Sequence, residues 1–212
     1  QLRGIMAETI AKRGTRVSLV IRDARVFDPS SGVDARTDVT IEKGQITSLA
    51  AVKGKAGGAQ SIDAGGRLLL PGFVDLHTHL RSPGREDEED IASGTRAAAA
   101  GGYVIICAMP NTDPVVDNAS VLASQAEVAE SNAAVRVAFL GSISRGLRGE
   151  HLSDMWDMAG SGAVAVTDGG RPVANAGLVG AAFQAGATVS LALSLHCEDL
   201  ALSGGGVGDG GE

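Results

Sequence analysis

Aromatic residues are scarce in this chain of 212 residues, where one Trp, one Tyr and four Phe make up 3% of the sequence. Hydrophobic residues still account for 44%, so a core has to be built from Ala, Val, Leu and Ile. At this length, that composition is typical of a globular protein with a sizeable core. Glycine, by contrast, is abundant at 30 residues, which predicts many tight turns and close backbone approaches.

Cysteine, positive charge and long apolar runs are also limited. Cys107 and Cys197 lie far apart without CxxC spacing, which favours free thiols in a reducing compartment over a disulfide framework, and we expect a cytoplasmic protein. The net charge of −7 argues against nucleic acid or an anionic membrane as partner. No stretch approaches the roughly 20 apolar residues of a membrane span, and residues 1–16 lack the apolar segment of a signal peptide.

The first third of the chain consists of short strand-like runs. Asp38–Glu42 and Gln45–Leu49 alternate polar and apolar residues on either side of Lys43-Gly44, which predicts a hairpin. We expect a small β-sandwich-like domain over residues 17–70, preceded by an N-terminal extension of residues 1–16 and followed by a second domain over residues 71–212.

From Pro71 onward, apolar runs alternate with helical patterns, which predicts about five βα units and a parallel sheet. The predicted strands are Phe73–Leu76, Tyr103–Ala108, Val135–Leu140, Ala163–Val166 and Thr188–Leu195. The predicted helices are Glu88–Ala100, Asn118–Ser131, His151–Ala159 and Ala174–Ala185.

Two architectures satisfy this alternation, a (β/α)₈ barrel and a doubly wound sheet. Polar residues follow the carboxyl ends of the predicted strands, where barrel enzymes place their chemistry, and no GxGxxG opens the first helix. These features favour the barrel. A barrel takes about 250 residues, whereas 141 residues follow Pro71, so we expect the N-terminal part of an incomplete (β/α)₈ barrel in the α/β class.

The stretch Pro71–Gly84 is the most informative part of the sequence. His77 and His79 are one residue apart on a predicted strand, so their side chains point to the same face. Two imidazoles directed at one point suit a divalent ion such as Zn²⁺. Arg81 follows two residues later, and a guanidinium beside a metal suits a substrate carboxylate. On these features alone, metal binding and a chance HxH are about equally supported.

Three further residues follow predicted strands. Asp168 precedes two glycines and His196 follows the fifth predicted strand, so with His77 and His79 they form a ligand set suited to zinc. Alone, Asp168 is more typical of a turn than of a ligand, and His196 is equally typical of a loop hydrogen bond and of a ligand. Asn111 lies in a Pro-fixed loop, where its amide can face a substrate carboxylate or simply form a turn.

Several motifs together resemble the amidohydrolase superfamily in its class I dihydroorotase form. They are Pro71–Arg81, Glu89–Gly102, Met109–Thr112, Thr167–Asn175 and His196–Leu200. The resemblance begins near Val20 and continues to the end of the chain. It implies a cyclic amidase that interconverts N-carbamoyl-L-aspartate and dihydroorotate in pyrimidine biosynthesis, with two Zn²⁺ ions per subunit.

The resemblance also implies roles for individual residues. His77 and His79 would bind the first zinc, Asp168 would bridge to a second, and His196 would bind that second zinc. Arg81 and Asn111 would hold the substrate carboxylate. The general acid/base Asp of the family would lie beyond residue 212, so residues 1–212 alone are expected to be an inactive or incomplete fragment. A homo-oligomer and an association with aspartate carbamoyltransferase are further expectations.

One departure and two alternatives accompany the resemblance. The family commonly has Asp-Asp-Gly where this chain has Asp168-Gly169-Gly170, so the bridging role rests on aligning Asp168 with the first Asp. One alternative is a non-catalytic dihydroorotase-like scaffold for aspartate carbamoyltransferase, which the presence of three candidate metal histidines disfavours. The other is an allantoinase or hydantoinase type of cyclic amidase, which Arg81 with Asn111 disfavours because they suit an acidic substrate.

Overall fold

The computed structural model describes residues 17–53 and 60–203. These residues divide into two compact units, with the boundary between Gly72 and Phe73. The predicted N-terminal extension, residues 1–16, lies outside the described residues. No helix within the described ranges has the length and apolar character needed to cross a membrane.

The first unit contains a five-stranded mixed sheet in the order β3-β2-β1-β4, with β5 also paired to β1. The strands are β1 (Leu19–Asp28), β2 (Val33–Glu42), β3 (Gln45–Leu49), β4 (Gln60–Asp63) and β5 (Leu68–Leu69). The predicted hairpin at Lys43-Gly44 is confirmed, and both residues have the positive φ of a tight turn, 52° and 79°. A second sheet, which a sandwich requires, does not occur among the described residues of this unit, so the sandwich stays a prediction.

The structure joins two predicted strands of this unit into one. The runs Val17–Ile21 and Ala24–Asp28 read as two short strands in the sequence, but β1 is continuous and its pairing with β2 shifts register between Ile21 and Ala24. Asp23 has a φ of 54° at this bulge, and its N–H donates to Asp38 Oδ1 at 2.8 Å. A bulge allows the chain to insert extra residues without ending the strand.

The second unit confirms the predicted alternation of strands and helices. Its five strands are all parallel in the order β10-β9-β8-β7-β6. They are β6 (Phe73–Thr78), β7 (Tyr103–Ala108), β8 (Arg136–Gly141), β9 (Ala163–Val166) and β10 (Ala192–Leu193). The helices are α1 (Ile91–Ala100), α2 (Ala119–Asn132), α3 (Met155–Gly160), α4 (Ala176–Val189) and α5 (Leu200–Ser203), and a 3₁₀ turn covers Arg145–Leu147.

Local side-chain hydrogen bonds set where the first two helices begin. Asn118, the first residue of the predicted helix, is the N-cap of α2, since its Oδ1 accepts from the N–H groups of Ser120 and Val121. Asp90 caps α1 and accepts from the N–H of Ser93 at 2.6 Å. Hydrogen bonds from the Ser93 backbone and hydroxyl lower the pKa of Asp90. Helix α1 therefore begins at Ile91 rather than at the predicted Glu88.

Two other predicted boundaries are wrong. Helix α3 begins at Met155 rather than His151, because the N–H groups of Ser153 and Asp154 donate to Ile143 and Asp117 instead of entering a helix. Helix α4 continues to Val189 and ends where Ser190 adopts a left-handed φ of 59°, so β10 begins at Ala192 rather than Thr188. The β-branched residues Thr188 and Val189 suggested a strand, but both residues belong to the last turn of the helix.

The core of the second unit lies between the sheet and its helices. It is built from aliphatic side chains and methionines around Phe139, as the scarcity of aromatics requires. Strand β6 differs from β7 and β8 because Phe73, Val74 and Leu76 remain half or more exposed, at 50%, 51% and 71%. Strand β6, which carries His77 and leads into His79, is the outermost strand of the sheet on that side.

Candidate functional site

A cavity of about 520 Å³ opens at the carboxyl ends of β6, β7 and β9. Parallel strands bring their carboxyl ends to one edge of a sheet, so side chains that are distant in sequence meet there. Five of the six predicted site residues line this cavity. They are His77, His79, Arg81, Asn111 and Asp168, joined by Arg85, Thr112, Asp113, Val115, Gly146, Leu147, Gly170 and Arg171.

The two histidines converge as the strand geometry predicts. His77 is on β6 and His79 directly follows it, and their Nε2 atoms are 3.3 Å apart. Two imidazole nitrogens bound to one tetrahedral Zn²⁺ at roughly 2.0–2.1 Å would be separated by about 3.3 Å. The pair therefore has the spacing of two ligands of one metal ion.

Asn111 fixes the orientation of one of these rings. Its Oδ1 lies 2.8 Å from Nδ1 of His79, and an amide oxygen accepts only, so Nδ1 of His79 carries the proton. The Nε2 atom of His79 then has a free lone pair directed toward His77. Metal-binding histidines commonly donate their other ring nitrogen to an oxygen in this way.

The donor set for a metal is partial in the arrangement observed. Nothing in the described part of the chain forms a cluster of three or more His, Cys, Asp or Glu side chains around one point. The histidine pair with its Asn111 support fits two positions of a metal site, and further ligands have to come from side chains that here have other partners.

Asp168 is deeply buried, at 4% exposure, and its carboxylate is engaged by neighbouring groups. Its Oδ1 accepts from the N–H groups of Ile143 and Ser144 at 2.8 and 3.0 Å, and its Oδ2 accepts from the Ser144 hydroxyl at 2.5 Å. The carboxylate thus holds the loop after β8 in place. Each carboxylate oxygen has two acceptor sites, which leaves Oδ2 capacity for one more partner.

His196 is the predicted site residue that the structure does not bring to the cavity wall. It follows β10, is exposed, and its Nε2 lies 2.9 Å from Oε2 of Glu198. Cys197 beside it is exposed and free. The metal roles of Asp168 and His196 therefore stay predictions.

Arg81 reaches the cavity from a special backbone conformation. Strand β6 ends at Thr78, and Arg81 has a φ of 57°, which is unusual for a non-glycine residue and is found at functional sites. Its Nε lies 3.4 Å from Oε2 of Glu88. Arg81 therefore lines the cavity from a turn rather than from the strand.

Two arginines that line the cavity were missed by the sequence reasoning. Arg85 follows the Pro83-Gly84 turn and pairs with Glu88 through its Nε at 2.7 Å. Arg171 follows Asp168 and donates from Nη1 to the Leu147 carbonyl at 3.5 Å. Together with Arg81 they give the cavity three guanidinium groups in an acidic chain. For Arg85, the sequence does offer a signal. It lies four residues after Arg81 and three before Glu88, and such steps can bring side chains together in a turn.

Cys107 does not act as a nucleophile at this site. It lies on β7 and is 7% exposed. Burial raises the pKa of its thiol, and the charge of nearby Asp75 raises it further. The thiol therefore stays protonated at neutral pH, and only the thiolate is reactive.

Comparison with known proteins identifies sequence relatives across most of the chain. A family model described as "Dihydro-orotase-like" matches residues 66–212. The dihydroorotase of Trichlorobacter lovleyi is 41% identical over 191 residues, which is 90% of this chain and 45% of that protein. The dihydroorotase of Solibacter usitatus is 46% identical over 188 residues, 89% of this chain and 44% of the relative. The chain thus spans less than half the length of these relatives.

Solved structures with a similar fold include an L-hydantoinase (dihydropyrimidinase) from Arthrobacter aurescens, with a TM-score of 0.69 at 20% identity. This chain aligns over 84% of its length with 40% of that structure. A D-hydantoinase gives a TM-score of 0.66 at 21% identity, covering 84% of this chain and 39% of the structure. At these identities the likeness concerns the fold, and it confirms the expected part of a (β/α)₈ barrel.

Proposed function

Because the chain belongs to the dihydro-orotase-like family, we propose that its activity is that of a dihydroorotase. The reaction is the reversible cyclisation of N-carbamoyl-L-aspartate to (S)-dihydroorotate in pyrimidine biosynthesis. The observation that carries this proposal is the meeting of His77, His79, Asn111 and Arg81 in one cavity. Imidazoles that hold a metal beside groups that hold a carboxylate are what a metal-dependent amidase for an acidic substrate needs.

The histidine pair is proposed to hold zinc. His77 and His79 present Nε2 atoms 3.3 Å apart, and Asn111 keeps His79 in the tautomer that leaves Nε2 free. A bound zinc would activate water and polarise the amide carbonyl of the substrate. The chain's own contribution is to fix two imidazoles before the ion arrives.

Arg81 and Asn111 are proposed to hold the substrate carboxylate. Arg81 has five N–H donors, and its Nε faces Glu88, so the two terminal nitrogens stay available for a bidentate contact. Asn111 uses its oxygen toward His79, so its amide nitrogen can donate to the substrate. Asn111 would then contact both the histidine pair and the substrate carboxylate.

The second metal position is a further part of the proposal. Asp168 would bridge through its remaining acceptor capacity and His196 would bind the second zinc, which requires His196 to exchange Glu198 for the ion. We also propose a cytoplasmic homo-oligomer and an association with aspartate carbamoyltransferase, both implied by the family.

Arg81→Met tests the substrate assignment in the protein made from the complete reading frame. A lost charge-assisted hydrogen bond costs about 1.5–3 kcal/mol, so kcat/KM for (S)-dihydroorotate should fall at least about tenfold. Hydrolysis of a neutral hydantoin ring, which lacks the carboxylate, should change little. Steady-state kinetics on both substrates measure this.

The matched control is Arg96→Met, which removes the same charge from an exposed position of α1. It should leave both substrates unaffected. Wild-type kinetics of Arg81→Met on dihydroorotate would refute the carboxylate role. An equal loss on both substrates would show that Arg81 supports the fold of the site instead.

A further inference from the structure

Glu88 is an exposed carboxylate of the chain that lies between two arginines of the cavity. Its Oε1 accepts from Arg85 Nε at 2.7 Å and also pairs with Arg85 Nη2, while its Oε2 lies 3.4 Å from Arg81 Nε. Each oxygen of Glu88 thus faces a different guanidinium. This is the arrangement in which two arginines would receive a carboxylate from a ligand.

The two arginines are fixed by the backbone rather than by Glu88. The N–H of Arg85 donates to the Arg81 carbonyl at 3.1 Å, and the N–H of Asp113 donates to the Pro83 carbonyl at 2.9 Å. Gly84 between them has a φ of 96°, and a Cβ there would lie 2.0 Å from the Asp113 carbonyl oxygen. The turn is therefore anchored against the 110–114 loop, which holds both arginines beside the histidine pair.

The side chain of Glu88, in contrast, can move away from the two arginines without disturbing this turn. Its side chain is 42% exposed, and exposed ion pairs contribute little to stability because water and salt compete for both partners. A substrate carboxylate that also gains contacts with Asn111 or a metal has an advantage over Glu88 for the same guanidinium.

We propose that Arg81 and Arg85 form a two-guanidinium carboxylate subsite, that Glu88 occupies it in the absence of ligand, and that the substrate carboxylate replaces Glu88. Arg85 thereby becomes a second residue that selects acidic substrates. This inference rests on the proposed function for the identity of the substrate. The presence of an anion subsite depends only on the contacts described above.

Glu88→Gln tests the proposal in the protein made from the complete reading frame. Without the competing charge, KM for (S)-dihydroorotate should fall about two- to fivefold, the range of an exposed ion pair, with kcat little changed. Asp87→Asn is the matched control, since it removes the same charge one residue away at an exposed position. It should leave KM unchanged. Isothermal titration with succinate, a simple dicarboxylate, should show the same tightening with Glu88→Gln alone.

The succinate titration separates the two proposals. Tighter succinate binding to Glu88→Gln without any dihydroorotate turnover would support the subsite and refute the proposed function. An unchanged succinate affinity in Glu88→Gln would overturn the subsite, and weaker binding would do so as well, because it would mean that Glu88 positions the arginines. If Asp87→Asn increased succinate affinity as much as Glu88→Gln, the increase would reflect the net charge of the region and not the two-arginine subsite. That result would also overturn the proposal.

Discussion

At the scale of single residues, Asn111 combines an observed contact with a proposed one. The sequence suggested an amide that faces a substrate carboxylate, and the structure gives its oxygen to Nδ1 of His79. An amide has a separate donor and acceptor, so both functions fit one residue. The contact with His79 could not be derived from the sequence, because 32 residues separate the two positions and only the parallel pairing of β6 with β7 brings them together.

His77→Ala is the residue-scale test of the metal site. Removing one of two converging imidazoles should weaken zinc binding at least about tenfold, since changes to residues that merely support a ligand already cost 10–100-fold. Zinc per chain after equilibration and gel filtration, measured by atomic spectroscopy, reports this directly and needs no activity.

His151→Ala provides the comparison, because it removes an exposed histidine that does not line the cavity. It should retain wild-type zinc. If His77→Ala also retained wild-type zinc, the histidine pair would not be the metal site.

At the scale of elements, the loop after β8 depends on a side chain from the end of β9. Asp168 accepts from two backbone N–H groups and one hydroxyl of residues 143–144. The carboxylate thus connects two neighbouring strands at their carboxyl ends, beneath the cavity. Sequence reasoning found the position of Asp168 but could not see this burial, because the donors are backbone groups that every loop possesses.

Asp168→Ala should therefore destabilise the second unit whether or not a metal binds. Two buried N–H groups would lose their acceptor at about 1–3 kcal/mol each, so the free energy of unfolding should fall by at least about 2 kcal/mol. Trp156, the sole tryptophan in the sequence, lies on α3 and reports urea unfolding of this unit by fluorescence.

Asp168→Asn is the informative companion variant, because its amide oxygen can still accept from the N–H groups of Ile143 and Ser144. It should keep most of the stability while losing the charge that a metal bridge requires. Stability of Asp168→Ala equal to that of the wild type would contradict the structural role of the carboxylate.

Elements with strong local signals were predictable, and those decided by distant contacts were not. The Lys43-Gly44 hairpin, the helix that begins at Asn118 and four of the five parallel strands followed from turn chemistry, helical patterns and apolar runs. The start of α3 and the end of α4 did not, because hydrogen bonds to Ile143 and Asp117 and the left-handed Ser190 determine them. Likewise, the pairing of Glu88 with Arg81 and Arg85 depends on the turn that brings them together.

At the scale of the whole molecule, strand β6 stands out because it exposes large apolar side chains. Phe73, Val74 and Leu76 are half or more exposed on a strand at the outer edge of a parallel sheet. Parallel sheets of barrels are normally covered on both faces. The relatives are more than twice as long as the segment that matches this chain. In proteins of that length, we expect further barrel strands to pair with the edge that β6 forms here.

The most direct measurement for the account is hydrolysis of (S)-dihydroorotate by the protein made from the complete reading frame, with and without zinc. We predict turnover that chelation removes, that zinc restores, and that His77→Ala abolishes, because in the proposed function the reaction needs an ion that the histidine pair would hold. Turnover that persists after chelation, or a zinc-loaded protein that hydrolyses a neutral hydantoin but leaves dihydroorotate untouched, would contradict it.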